Sequence, residues 1–367
     1  MTSKSPQWAY AAALSAMPLQ TPLRLRRLIA CGEPSEIWSA IIHNERPLVG
    51  ISDAVWRAWA SVRPSLVHEM EDACGQYSIS VMTRNDSAYP RVLVHDAHAP
   101  AVLFVKGDIS CLSNRRVGII GTRTATQRGR FVAKRLGAEL SAAGVCVVSG
   151  LARGIDIHSH IGAMEVRQQG GIGPAGVVAS GLNCVYPPEH AAMWHRISKE
   201  GVLLSEAPPN TAPETHRFPL RNRVLAALSE VLLVVESRNS GGSMITVREA
   251  MKRDIAVMAV PGPLDVVSCE GTNALLRDGC APVLDVDDVL VALGLDTRRE
   301  QRAVEFREPP TNEELLLLNS MGNLPRTIDE MSLLVGATVI DIAVMLGRLE
   351  SKEWVSHSNG WWEALSY

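Results

Sequence analysis

The stretch VGIIGTRTATQRGRFVAKRLGAELSAAGVCVVSG (residues 117–150) opens on an apolar run, turns at Gly121, and closes on a second apolar run ending in Ser149-Gly150. Neither run alternates polar with apolar residues, so both read as strands buried on two faces. The intervening segment reads as the crossover helix of a parallel βαβ unit. The same grammar recurs in GVVASG (176–181), VLLSE (202–206), VLLVVES (231–237) and IAVMAVPG (255–262). Residues 86–296 are therefore expected to form an α/β, Rossmann-like parallel sheet domain. Most of these strands end in Gly, Ser or Glu. Ligands of open α/β sheets bind outside the carboxyl ends of the strands, and small residues there let a ligand approach the backbone.

Residues 1–85 read as short helices punctuated by Pro18, Pro22, Pro34, Pro47 and Pro64, an N-terminal helical domain. In LRLRRLIACG, Leu23, Leu25, Leu28 and Ile29 form an apolar stripe against Arg24, Arg26 and Arg27, as in helix-turn-helix or helix-hairpin-helix bundles. The glycine pair of a DNA-gripping hairpin is missing, so a structural role is favoured here. Trp8, Ala12 and Met17 fit an amphipathic first helix better than a signal peptide. Residues 297–310 (TRREQRAVEFREPP) read as a charged linker. Residues 311–367 read as three helices and a hairpin around His357-Ser358-Asn359-Gly360, the order of a winged-helix domain. Its third helix, TVIDIAVMLGRLE, offers Arg348 as its one cation, and Thr338-x-x-Asp341 resembles a capping box.

Hydrophobic residues make up 46% and charged residues 20% of the 367, the balance of a water-soluble globular chain. No apolar run approaches the roughly 18–20 residues of a membrane span. Seven cysteines are scattered without a CxxC pair, so neither zinc nor a disulfide framework is expected, and a reducing cytoplasm fits. The net charge of −3 does not advertise nucleic acid, but its distribution does. No acidic residue lies between Asp108 and Glu139, while Arg115, Arg116, Arg123, Arg128, Arg130, Lys134 and Arg135 do.

Four turns concentrate anion-binding chemistry. Gly121-Thr122-Arg123-Thr124 begins a helix; it lacks the GxGxxG spacing of dinucleotide sites and the GxxxxGK[ST] of a P-loop, which leaves an isolated anion or a backbone phosphate. Ser149-Gly150-Leu151-Ala152-Arg153-Gly154 is the second, with Arg153 aimed either at a phosphate or at Asp156. In Phe218-Pro219-Leu220-Arg221-Asn222-Arg223, two guanidiniums straddle an amide and suit phosphate contacts, or internal pairs with Glu206 or Glu236. Ser240-Gly241-Gly242-Ser243 forms a backbone N–H nest or a tight loop. The site is thus expected at Gly121, Thr122, Arg123, Ser149, Gly150, Arg153, Gly154, Arg221, Asn222, Arg223, Ser240, Gly241, Gly242 and Ser243. It needs no metal and no cofactor. His158 and His160, two apart on a helix, do not share a face. Tyr186, Trp194 and Phe218 are the aromatics near these motifs, and each is expected in the core, leaving binding to lean on phosphates.

The ordered motifs GIIGTR, VSGLARGIDIHSHIGA, GLNCVYPPEH, LLSEAPP, FPLRNR, VVES…SGGSMIT and AVPG resemble the DNA-processing protein A family (DprA, also called Smf) over roughly residues 86–290. The resemblance implies single-stranded DNA binding, protection of DNA during natural transformation, loading of the RecA recombinase, and homodimerisation, without catalysis. It places Arg123 and the arginines of FPLRNR on DNA. Pro188 stands where some members carry a basic residue. Two other readings compete. A nucleotide-processing glycosidase of the lysine-decarboxylase-like family would use PGGxGTxxE, but here Ile245 precedes Thr246-x-x-Glu249 in place of a glycine. A nucleotide-sensing Rossmann-like protein would use the same pocket for a small ligand.

Overall fold

The structure, a computed structural model, describes residues 5–295, 309–321, 325–352, 354–358 and 360–364. Of the expected linker, residues 297–308 lie outside the described residues, as does Asn359 of the expected hairpin turn. The chain divides into two compact units between Leu295 and Asp296.

The first unit opens with helices Gln7–Ala16, Pro22–Ile29, Pro34–Ile42, Asp53–Ala60 and Leu66–Gln76. The first is not amphipathic. Ala9, Ala11, Ala12, Ala13 and Leu14 are all fully buried, because alanine lets neighbours close in from every side. In the second helix Leu25 and Leu28 are buried while Leu23 is exposed, so the stripe is narrower than the sequence implies. These helices share one apolar core with Phe104, Trp194 and Leu203 of the sheet region.

The sheet comprises β1 (Ser80–Thr83), β2 (Val102–Gly107), β3 (Arg115–Ile120), β4 (Val145–Ser149), β5 (Ala175–Val178), β6 (Val202–Ser205), β7 (Val231–Val234), β8 (Ala256–Ala259) and β9 (Ala281–Pro282). Their spatial order is β1-β2-β6-β5-β4-β3-β7-β8-β9. Strands β3 to β8 run parallel, as the unalternating Val/Ile/Leu runs predict, and β9 adds a short parallel strand absent from the sequence reading. β2 pairs antiparallel with both β6 and β1, an extension absent from the sequence reading. Strands β4 to β7 bury both faces, whereas Ala281 and Pro282 of β9 are exposed. Ile120, Cys146, Val148, Leu232 and Val234 pack under the Arg217–Leu228 and Ser243–Met251 helices. Their neighbours Val117, Ile119, Val145, Val147 and Leu233 pack under Gln127–Ala142 and Ile155–Glu165. Strand order reverses beside β3: the chain moves outward one way through β4, β5 and β6, then returns to β7 on the other side. The crevice at such a switch point is where this class of sheet places its ligand.

The second unit contains helices Asn312–Met321, Ile328–Val335 and Val339–Ser351, then the antiparallel pair β10 (Val355–Ser358) and β11 (Trp361–Ala364). Leu317, Met321, Met331, Ile342, Leu346, Leu349, Val355 and Trp362 form its own core. His357 and Ser358 belong to β10 rather than to the turn. Thr338 caps the third helix by accepting from the Asp341 N–H at 3.2 Å, but reciprocal capping boxes sit on the two earlier helices, at Thr327 with Glu330 and at Thr311 with Glu314. Among the described residues no single helix is long and apolar enough to cross a membrane.

Candidate nucleic-acid interface

The loops that leave β3 and β7, the two strands flanking the switch point, rim a cleft of about 630 Å³. Gly121, Thr122, Arg123 and Thr124 supply one rim. Arg238, Gly241, Gly242 and Ser243 supply the facing rim, and Phe218, Arg221 and Asn222 lie between. Of the second motif, Gly150 and Arg153 line a small adjoining pocket of about 20 Å³ that shares Arg123, Tyr186, Phe218 and Arg221 with the cleft. The sequence therefore brings most of its four turns to one place.

One carboxylate ties the rims together. Glu236, just past β7, accepts from the Thr126 N–H at 3.0 Å and from the Thr126 hydroxyl, and from Ser268 Oγ at 3.2 Å. Its own carbonyl accepts from the Thr122 N–H at 2.7 Å. Thr126 is the N-cap of the Gln127–Ala142 helix, so Glu236 fixes where the β3 turn becomes helix. It does not pair with Arg221 or Arg223. On the far rim, Ser237 Oγ and Ser243 Oγ lie 2.7 Å apart and hold the Gly241-Gly242 loop shut at its base.

Arg123 is exposed, with its guanidinium carbon 5.0 Å from the centre of the Phe218 ring. Phe218 in turn meets Tyr186 at 5.7 Å between ring centres. This corrects the expectation that both rings belong to the core: they are half-buried in the cleft, while Trp194 alone is buried as expected. A cation stacked on an aromatic face, with a second ring beside it, offers a polyanion both charge and a stacking surface.

Arg221 and Arg223 turn inward. Arg221, 8% exposed, donates to the carbonyl of Gly150 at 2.7 Å and to that of Val177. Burial draws its pKa down to about 10, with the Asp156 carboxylate opposing and Arg123 adding to the fall, so it stays cationic at neutral pH. Asp156 accepts from the Gly150 N–H at 3.1 Å, and burial pushes its pKa up. Arg223 contributes nothing to the cleft. It is paired with Glu206 and donates to the carbonyl of His98, the internal network that the sequence left open. Arg153 pairs with Glu189, not with Asp156, and is exposed.

Five further positions are placed otherwise than the sequence suggests. Ser149 is fully buried and its hydroxyl donates to the Ile119 carbonyl at 2.6 Å, across the sheet. Ser240 is exposed but outside the cleft lining. The glycines mostly serve protein packing rather than ligand approach. A Cβ at Gly121 would lie 2.4 Å from Ile155, one at Gly150 2.4 Å from Arg221, and one at Gly154, whose φ is +77°, 2.2 Å from the Thr122 carbonyl. Gly242 alone of the site glycines has nothing within 4 Å. His158 donates from Nδ1 to the Gly154 carbonyl (2.7 Å), and His160 is wholly buried with both ring nitrogens unpartnered. Among the described residues no group of three or more His, Cys, Asp or Glu is placed to hold a metal ion. Glu249, the carboxylate a glycosidase reading needs, is bound by Lys252 at 2.7 Å and Arg253 at 2.8 Å and does not line the cleft.

Fold and cleft together define a Rossmann-like α/β protein with a cationic, aromatic-floored crevice at its switch point. Residues 80–294 match the family DNA recombination-mediator protein A. The chain is 35% identical over 235 residues to the DNA processing protein DprA of Bacillus subtilis (strain 168), covering 64% of this chain and 76% of that one. It is 30% identical to Protein Smf of Escherichia coli (strain K12), covering 73% and 72%. DNA processing protein A of Streptococcus pneumoniae superposes with a TM-score of 0.66 at 25% identity, over 79% of this chain and 98% of that one. The protein of that name from Helicobacter pylori, described with a single-stranded DNA binding mode, gives 0.54 at 27% identity over 60% and 97%. The chain belongs to the DNA recombination-mediator protein A family.

Proposed function

We infer that this protein binds single-stranded DNA in the switch-point cleft, through phosphates and stacked bases together, and does so without bond chemistry. The observation that carries this is Arg123 lying over Phe218 at the mouth of the cleft. A strand passing there meets a guanidinium for its phosphate and rings for its bases. Thr122, Arg123, Asn222, Gly241, Gly242 and Ser243 are the proposed direct contacts, with Arg153 joining if it leaves Glu189. Arg221, Gly121, Gly150 and Gly154 hold the cleft in shape. Duplex DNA keeps its bases stacked inward, so the rings favour single strands. The engaged carboxylate of Glu249 speaks against the glycosidase reading.

Family membership supports the wider role: a homodimer in the cytoplasm that protects incoming single strands and loads RecA onto them during transformation or recombination. The unit beyond residue 309, read as a winged-helix module, is proposed to contact protein rather than bases, since Val339, Ile340 and Val344 are exposed on its third helix. The test is titration of a labelled oligothymidine and its duplex counterpart across a salt series. Preference for the single strand is expected, with Arg123→Ala weakening binding to it. Equal affinity for both forms overturns the reading.

A further inference from the structure

The chain has four phenylalanines, and among the described residues they are spent in different ways. Phe104 is fully buried in the sheet and Phe218 floors the cleft. Phe131 lies on the Gln127–Ala142 helix, 64% exposed. It is not part of that helix's packing face, which is Gly129, Ala133, Leu136, Gly137 and Leu140. Phe131 lies on the opposite side, with Arg128 three residues before it and Arg135 four after, so the three share one outward stripe.

The charges along this helix are graded. Lys134 pairs with Glu165 at 2.7 Å and Arg135 with Glu139 at 3.7 Å. Arg128 and Arg130, both exposed, have no carboxylate partner among the described residues. Uncompensated positive charge is therefore concentrated in the first turn, the end nearest the cleft. The helix starts at the N-cap Thr126, two residues after Thr124 of the cleft rim. Phe131 is five residues past that cap, about 7.5 Å of helix rise.

We propose that Arg128 and Phe131 form a second station for single-stranded DNA, receiving the strand as it leaves the cleft over the Gln127–Ala142 helix. Arg128 takes a phosphate and Phe131 stacks a base, repeating outside the cleft the cation-and-ring pairing of Arg123 with Phe218. The inference rests on the cleft being the DNA site. Strands long enough to emerge from the cleft gain from the station, and strands that end within it do not.

The test uses the full chain with oligothymidines of about six and about thirty nucleotides, below and above the span of a single groove. Phe131→Ala, a change at an exposed position, should weaken the long oligomer about fivefold to tenfold and leave the short one unchanged. Phe131→Trp should restore the long one. Arg128→Ala should lower the log–log salt slope by about 0.7 for the long oligomer alone. Loss on neither length, equal loss on both, or a change in oligomeric state with unaltered long-oligomer affinity overturns the station. Arg123→Ala must weaken both lengths. If it weakens neither, the cleft reading itself fails, and that outcome is distinct from failure of the station.

Discussion

The turn after β3 and the start of the Arg217–Leu228 helix bring arginines to the same crevice with opposite outcomes. Arg123 sits in a turn whose backbone is pinned by Glu236, so its side chain is free to extend over Phe218. Arg221 and Arg223 sit two apart on a helix, where successive residues rotate by about 100°. One is carried under the sheet edge to the Gly150 carbonyl and the other to Glu206. Exposed, a guanidinium is a ligand for phosphate. Buried, it is a brace that holds two loops at a fixed distance. Local backbone geometry thus decides whether identical chemistry is presented to solvent or built into the architecture.

That contrast can be broken most sharply at Arg221. Arg221→Ala removes the brace and leaves the buried Gly150 and Val177 carbonyls without their donor, at about 1–3 kcal/mol of stability each. Chemical denaturation is the measurement, and a loss under 1 kcal/mol would show the brace to be idle. Arg123→Ala should do the reverse. Its melting temperature should stay within a degree or two, while DNA binding weakens by about 1.5–3 kcal/mol, the worth of a charged hydrogen bond. The salt slope should fall by about 0.7 with little dependence on base sequence. A large thermal shift with an unchanged slope would move Arg123 to the architectural side.

A smaller effect tests the interior near this brace. Burial pulls the His160 pKa from 6.5 to about 3. Between these values the unfolded chain takes up a proton that the folded chain refuses, so stability falls as pH drops below 6.5. From there to pH 5 the loss through this group is roughly 2 kcal/mol. His160→Leu should flatten that part of the stability profile, and an unchanged profile would contradict it. Smallest of all should be the effect of ending the chain at Pro310. The third helix of the second unit carries one arginine and exposed Val339, Ile340 and Val344, so affinity for a short oligothymidine should change less than twofold. A tenfold loss would transfer DNA binding to that unit.

Strands β3 to β8 were legible because burial leaves unbroken Val/Ile/Leu runs, and the strand ends predicted where the cleft would open. β1 and β2 were not. SVMT has no apolar run, and nothing in VLFVKG encodes that it runs against β6. The turn residues Thr122, Arg123 and Gly241–Ser243 were found because hydroxyls, glycines and cations at helix starts have one strong use. Phe218 and Tyr186 were misplaced because an aromatic side chain looks alike in a core and on a platform. The inward arginines were left open between phosphate and internal pairs for a different reason: FPLRNR lies within a helix, where a shift of one residue redirects each side chain. Glu236 gave a faint signal, an acid closing an apolar strand, that marked the rim without revealing what it would hold.

Thr126 and the Glu236 carboxylate that receives it are 110 positions apart in the chain. At synthesis rates of about 5–20 residues per second, the first rim leaves the ribosome roughly 5–20 seconds before its counterpart exists. During that interval the emerging polypeptide displays Arg123, Arg128 and Arg130 with the opposite wall of the crevice still unmade. Nascent chains stopped before Glu236 therefore carry the positive charge without the groove proposed to select among nucleic acids, which is complete only once β7 lies beside β3.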